Sequence, residues 1–246
     1  MQTTSALYNE IIAQTDHWFE TRLTINGVNY GETQLFSVEA TYRVFGDEQP
    51  VVGGCLAAEL EVKMLAPSSE IPRMAQVKPY VRVTNGTQTS EWIPQGVFYI
   101  DTRETTHNDN GLDILTLHCY DAMLKSEADY PSTSISYPAK DYRIVQIIAY
   151  AMGLQSSSAA TNHNGIDART KALMNNGSGI YNITLPVGYS MREVLANIAA
   201  MYAGNWILTY EGKLRLVTLT ELPDETYYLM DEHYDSITFG GDRILV

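Results

Sequence analysis

Residues 190–219 read S-M-R-E-V-L-A-N-I-A-A-M-Y-A-G-N-W-I-L-T-Y-E-G-K-L-R-L-V-T-L, from Ser190 to Leu219. Ser190 and Glu193 stand three apart, the spacing at which each side chain takes a backbone N–H left unpaired at a helix start. Met191, Val194, Leu195, Ile198, Met201 and Tyr202 recur at helical spacing, which predicts an apolar stripe on one side of a helix. Gly204 is the expected stop, because glycine enters the left-handed conformation without a Cβ clash. Trp206 to Tyr210 and Lys213 to Leu219 are β-rich runs joined by Glu211-Gly212, a connection suited to a hairpin. The stretch thus predicts a helix packed on its own hairpin, with Ile198 and Trp206 inside. It carries no catalytic signature.

Upstream, Asp141 to Met152 repeats this pattern in shorter form, with a polar cap, Ile144, Ile147, Ile148 and Met152 on one face, and Gly153 as the stop. The two helices belong to one α/β module. Ile180 to Leu185 is an expected strand before the second helix. Residues 155–179 are rich in Ser, Ala, Asn and Gly, the composition of an exposed loop, with a helical turn at Ala168 to Met174.

The chain before Met123 has a different character. Ser5 to Gln14 suggests a short helix with Leu7, Ile11 and Ile12 inward, too short to stand without a surface. Strands are expected at Phe19 to Ile25, Gln34 to Tyr42, Cys55 to Leu65, Val77 to Val83, Trp92 to Thr102 and Asp113 to Tyr120. Asn26-Gly27 and Asn85-Gly86 mark turns, the first a strong hairpin signal. Leu56, Ala58, Leu60, Val62 and Met64 alternate as one inward face requires. Short strands at this spacing describe a small antiparallel barrel or sandwich. Asp121 to Lys125 reads as one helical turn, and Tyr130-Pro131 to Tyr137-Pro138 as an extended domain connection.

The fold class expected is therefore α+β, an N-terminal antiparallel β-barrel followed by a smaller α/β module. The division is a helical segment at 1–17, a barrel at 18–125, an α/β domain at 126–222 and C-terminal strands at 223–246. Within the last, Thr226 to Met230 and 237–246 are candidate strands. The apolar end Ile244-Leu245-Val246 contrasts with the polar, frayed termini of most domains; it implies that the chain continues in a parent protein or that a partner covers this end.

Composition narrows the function. No apolar run approaches the roughly 20 residues of a membrane span, and no signal-peptide layout opens the chain. Cys55 and Cys119 lie in separate β-like runs, far from any paired-cysteine motif, and read as buried thiols. A net charge of −13, from 29 acidic against 16 basic residues, argues against gripping a nucleic-acid backbone.

No catalytic constellation emerges from the residues. The histidines His17, His107, His118, His163 and His233 stand singly, without the spacing of a zinc motif. His118, Cys119 and Asp121 come nearest to a nucleophile cluster, but neighbours along a strand point to opposite faces. Asn108-Asp109-Asn110-Gly111 and Asn162-His163-Asn164-Gly165-Ile166-Asp167 hold calcium-like ligands without the closing Glu of a calcium loop, and turns explain both. No catalytic, cofactor-binding or metal-binding residue is assigned and no cofactor is expected; the chain is read as not an enzyme. The excess of 17 tyrosines fits an interface or ordinary strand preference.

Three further runs carry a resemblance: Glu91-Trp92-Ile93-Pro94-Gln95-Gly96-Val97-Phe98-Tyr99-Ile100-Asp101, then Leu115 to Leu124, then Tyr130-Pro131-Ser132-Thr133. With the helix and hairpin of 190–219 they resemble tail hub proteins of phages and prophages of Gram-positive bacteria. The likeness runs from about Trp18 to Leu219. It implies a structural baseplate-hub component, a homotrimeric ring continuing the tail tube, with two tube-type barrels per subunit and an α/β module between them. The implied partners are tail-tube or distal-tail and tip proteins, with DNA crossing an acidic lumen unbound, and the implied location is the virion tail, assembled in the host cytoplasm. Only 226–246 remain for a second barrel. Two rivals stand beside this reading, a receptor- or glycan-binding tip module using Trp18, Trp92 and Trp206, and a tail-associated peptidoglycan hydrolase or peptidase fragment lacking its catalytic domain.

Overall fold

Alternation of apolar and polar side chains drives the first half of the chain into one antiparallel sheet. The computed structural model describes residues 4–45, 51–107, 111–131 and 135–219, with the backbone of 238–239 and 242–243. Its strands are β1 (Trp18–Ile25), β2 (Val28–Tyr30), β3 (Leu35–Thr41), β4 (Glu59–Leu65), β5 (Gln76–Thr84), β6 (Ile93–Pro94), β7 (Phe98–His107) and β8 (Asp113–Asp121). They run in the order β2-β1-β5-β7-β8-β4-β3, with β6 beside β5. Asn26 and Gly27, at φ 47° and 85°, make the β1–β2 turn. Two consecutive positive φ values are what a type I′ hairpin requires.

Leu23, Ile25 and Tyr30, near one end of this path, share a buried cluster with Leu60, Val62 and Met64 of β4, near the other end. The sheet therefore curls over its own inner face. A pairing of β2 with β3, which would close the expected barrel, is not among the described ladders. Alternation reports which side chains face inward; it carries no information on whether the last strand meets the first.

Several local expectations need correction. The run Trp92 to Thr102 is two strands, because Gly96 (φ 129°) turns the chain where an added Cβ would stand 2.5 Å from the Phe98 ring. The Cys55 to Leu65 run pairs within the sheet only from Glu59. The N-terminal helix α1 (Ala6–Ile12), capped by the Ser5 hydroxyl, buries Ile11 and half-buries Leu7, whereas Ile12 is 39% exposed. Leu7 and Ile11 are four apart on one helical face; Ile12 is turned about 100° away from it.

A second core holds the helices. Beyond β8 come a 3₁₀ turn (Ala122–Glu127), β9 (Ala139–Lys140), α2 (Asp141–Ala151), α3 (Ala168–Leu173), β10 (Asn182–Ile183), α4 (Met191–Met201), β11 (Gly204–Leu208) and β12 (Leu214–Thr218). β9 pairs with β10, and β11 with β12. Both bonds of the α4 capping box are present, Glu193 N–H to Ser190 Oγ at 3.2 Å and Ser190 N–H to Glu193 Oε2 at 2.7 Å. Ile198 and Trp206 are 1% and 0% exposed, as the helix-on-hairpin reading requires, and the indole N–H donates to the Leu195 carbonyl at 2.8 Å.

Met201, placed on the apolar stripe by sequence, is 39% exposed at the last turn of α4. Ala203, not Gly204, takes the left-handed conformation (φ 50°). Gly204 instead opens β11, where an added Cβ would lie 2.4 Å from the Val217 carbonyl oxygen. Asp141 is likewise no cap. It sits fully buried in the first turn of α2 and accepts from Ile180 N–H at 2.9 Å and the Tyr202 hydroxyl at 2.6 Å. The segment after α2 is pinned rather than loose, since the buried Gln146 side chain donates to the Ala160 and Asn162 carbonyls at 2.9 and 2.8 Å. The Thr226 to Met230 run and most of 237–246 lie outside the described residues; within them β13 (Thr238–Phe239) pairs with β14 (Asp242–Arg243).

Candidate functional site

The link between β3 and β4 leaves the sheet and lies along the hairpin of the second core. Gly53 N–H donates to Gly204 O at 2.8 Å, Trp206 N–H to Gly54 O at 2.8 Å, and Leu56 N–H to Trp206 O at 2.9 Å. Asn205, 2% exposed, holds this strap from inside. Its Oδ1 accepts from Gly54 N–H at 2.8 Å, and its Nδ2 donates to Val44 O and Val51 O at 3.0 and 2.7 Å. The Arg192 guanidinium adds a bond to Cys55 O and an ion pair with Glu127. An Asn serves here because the strap presents both a donor and acceptors, and one amide matches them all.

Between strap, sheet and hairpin lies a cleft of about 520 Å³. Leu56 and Ala58 line it from the strap and its run into β4, Ile207 and Leu208 from the hairpin; Arg43, Arg169 and Arg215 and the acids Asp121, Asp167 and Glu211 complete its charged lining, with Arg43 4.0 Å from Glu59. Tyr42 and Tyr210 meet edge to face with centroids 4.9 Å apart. Tyr42 donates its hydroxyl to the Gln95 carbonyl, and burial pushes its pKa above the ordinary value, with Tyr210 and Asp121 adding to the shift.

Asp121 is the buried carboxylate of the cleft, 3% exposed. Desolvation raises its pKa to about 6, against the lowering effect of two backbone donors, Ala58 N–H and Met123 N–H, each at 2.9 Å. A buried acid of this kind is a functional candidate on pKa alone. Its geometry is structural, since both oxygens are occupied by backbone at the point where β8 leaves the sheet. Asp167 caps α3 through Arg169 N–H at 3.0 Å, and Glu211 pairs with Lys213 at 2.5 Å. The cleft combines apolar walls with charged groups of both signs; among its described lining, no nucleophile stands against a base.

The residues singled out by sequence do not converge. His118 points outward, 3.7 Å from Glu61, while Cys119 is 1% exposed and its thiol is pushed up to about 12 by burial. Cys55 is buried too, its thiol raised to about 12 by desolvation. His163 meets the Tyr142 hydroxyl at 3.0 Å, with its pKa lowered by burial and by Lys171. His17 bonds Gln14 O at 2.6 Å, and His107 pairs with Asp113. In 162–167, Asn162 Oδ1 accepts from Asn164 N–H at 3.1 Å, a turn contact. His233 and 108–110 lie outside the described residues, among which no three potential ligands gather to hold a metal ion. Trp206 is buried, Trp92 lies between the Arg22 and Arg82 guanidinium groups at 4.5 and 4.3 Å, and Trp18 is 51% exposed. Trp206, in the second core, cannot join the other two in one exposed surface. Sequence reasoning missed Asn205 and the cleft; the Asn between Gly204 and Trp206 was the available signal, a polar residue inside an apolar strand.

No protein-family model and no curated protein matches the chain. Solved structures do. The 43 kDa tail protein of prophage MuSo2 from Shewanella oneidensis aligns over 86% of this chain and 59% of its own, with a TM-score of 0.53 and 12% identity. The tail protein from Neisseria meningitidis MC58 aligns over 89% of this chain and 53% of its own, with a TM-score of 0.51 and 11% identity. The chain has the fold of phage tail proteins, the group its sequence motifs resemble. It spans little more than half the length of these two structures.

Proposed function

We propose that the chain is a structural component of a phage or prophage tail tip, part of a hub ring that continues the tail tube. The observation that carries this reading is a fold shared with two tail proteins along 86% and 89% of the chain. The four sequence runs that resemble tail hub proteins support it independently. In this reading the curled sheet is a tube-type barrel domain, the helix–hairpin core is the α/β module beside it, and the working unit is a homotrimer stacked on tail-tube and tip proteins.

The role is mechanical and not enzymatic. A surface at −13 repels phosphate, so DNA crosses the ring without being held. Electron microscopy of the parent tail, with the chain carrying a fused density marker, tests the assignment. Three markers around the axis at the distal end of the tube are expected. Markers along the fibres or in the capsid would overturn it.

A further inference from the structure

Two charged side chains of the sheet form no ion pair among the described residues, and they stand on strands near opposite ends of its path. One is Arg22 on β1. Its guanidinium carbon lies 4.8 Å from the centre of the Tyr80 ring and 4.5 Å from that of Trp92. These contacts engage the faces of the guanidinium and leave its N–H groups without an acceptor; the Nε is buried in that state. The acid two residues along the same strand is already taken, since Arg82 Nε donates to Glu20 Oε2 at 2.7 Å. In a chain with 29 acids against 16 bases, a half-buried arginine without a carboxylate calls for an explanation. The other is Glu39, exposed on β3. It stands directly opposite Glu61 of β4, a like-charge pair that costs stability. Glu61 is relieved by Lys63 Nζ at 2.9 Å and faces His118 at 3.7 Å, whereas Glu39 only shares the field of Lys63.

We propose that Arg22 of one copy donates to the Glu39 carboxylate of the next, a contact that rests on the hub-ring reading and names two of the residues joining its subunits. Contacts between two different surfaces of identical chains close into rings when the rotation allows. An exposed ion pair is usually worth little, because two mobile side chains must be ordered to form it. Arg22 is already held between two rings, so less freedom is lost when it pairs. Copies of a chain at −13 repel one another over most of their surface, and a complementary pair fixes where they can approach. A foreign acidic polypeptide would satisfy Arg22 and leave Glu39 against Glu61; a second copy satisfies both.

Sedimentation velocity of the full chain over a concentration series tests the pairing. Arg22→Glu and Glu39→Arg should each weaken self-association at least about tenfold, and the double exchange should restore it to within about threefold of wild type. Arg22→Glu also empties the space between Tyr80 and Trp92, so thermal melts accompany it. If that variant melts early, Glu39→Gln and Glu39→Arg, at an exposed position, carry the reading: the first should weaken association and the second should weaken it further. Association unchanged by Glu39→Arg, a folded double exchange no better than the singles, or a wild type that stays monomeric to about 1 mM overturns the proposal. Loss of binding to a different tail protein in Arg22→Glu, with self-association intact, assigns Arg22 to another partner and overturns it as well. Each of these results removes this contact alone, since the ring itself is judged by the marker count in the assembled tail.

Discussion

The Tyr202 hydroxyl donates to the Asp141 carboxylate at 2.6 Å across 61 residues of sequence. The bond joins the end of α4 to the start of α2, and the same carboxylate holds Ile180 N–H ahead of β10. Tyr202→Phe keeps the ring contact with Tyr181, 5.3 Å between centroids, and removes only the donor. A hydrogen bond to a charged group contributes about 1.5–3 kcal/mol, and a loss of that size is expected in urea unfolding. Burial and the Asp141 carboxylate both raise the Tyr202 pKa, so its phenolate absorbance should appear later in an alkaline titration than that of exposed tyrosines.

Asn205 predicts a graded series. Asn205→Ala removes one acceptor and two donors from the strap and should cost about 2–4 kcal/mol, at roughly 1 kcal/mol per buried bond. Asn205→Asp keeps the acceptor toward Gly54 but sets a charge against the Val44 and Val51 carbonyls, so a larger loss is expected. Limited proteolysis should cut the strap first in both variants. Equal strap protection in wild type and Asn205→Ala would refute the clamp.

Acid stability follows from Asp121. Its folded pKa is about 6 against an ordinary 3.8, raised by burial, so the folded state holds the proton more tightly than the unfolded chain. The stabilising contribution is complete below about 3.8 and is lost as pH rises through about 6, a change of order 3 kcal/mol at about 1.4 kcal/mol per unit. Asp121→Asn should flatten that part of the stability profile between about pH 4 and 7, read by thermal melts. Glu193, whose pKa is lowered by the Ser190 N–H and hydroxyl, has the opposite sign. Its contribution is present above the ordinary 4.5 and is lost on acidification, and Glu193→Gln should remove it.

The turn after α4 offers a paired test. Gly204→Ala drives a Cβ into the Val217 carbonyl, a backbone atom that cannot step aside, and should cost about 3 kcal/mol or more. Ala203→Gly relieves a left-handed alanine and should gain about 1 kcal/mol. Differential scanning calorimetry of the two variants should move the melting temperature in opposite directions.

Much of the architecture is written locally. The Ser190–Glu193 box, the Asn26-Gly27 turn and the Leu60, Val62, Met64 alternation each specify their structure from a few neighbouring residues, and each stands in the fold as expected. Closure of the sheet, the strap and the cleft depend on residues far apart in the chain. Nothing in the composition of 51–57 marks it as a strand partner of β11, because its hydrogen bonds go to a segment about 150 residues later. Gly204 departs from expectation for a related reason: glycine suits both a helix end and a crowded strand, and only the position of Val217 separates the two.

The strap also imposes an order of events on synthesis. Gly54 leaves the ribosome 151 residues before the Asn205 side chain that fixes it, so strands β1 to β8 are made while the strap has no hairpin to lie on. Contacts of such sequence separation form late, after the entropy of closing the intervening loop has been overcome. A nascent chain halted after β8 would therefore display Cys55, buried in the finished fold, and its half-buried neighbours Leu56 and Ala57 to solvent. Completion of the hairpin covers them, and reactivity of Cys55 toward a thiol reagent in stalled chains would report that moment.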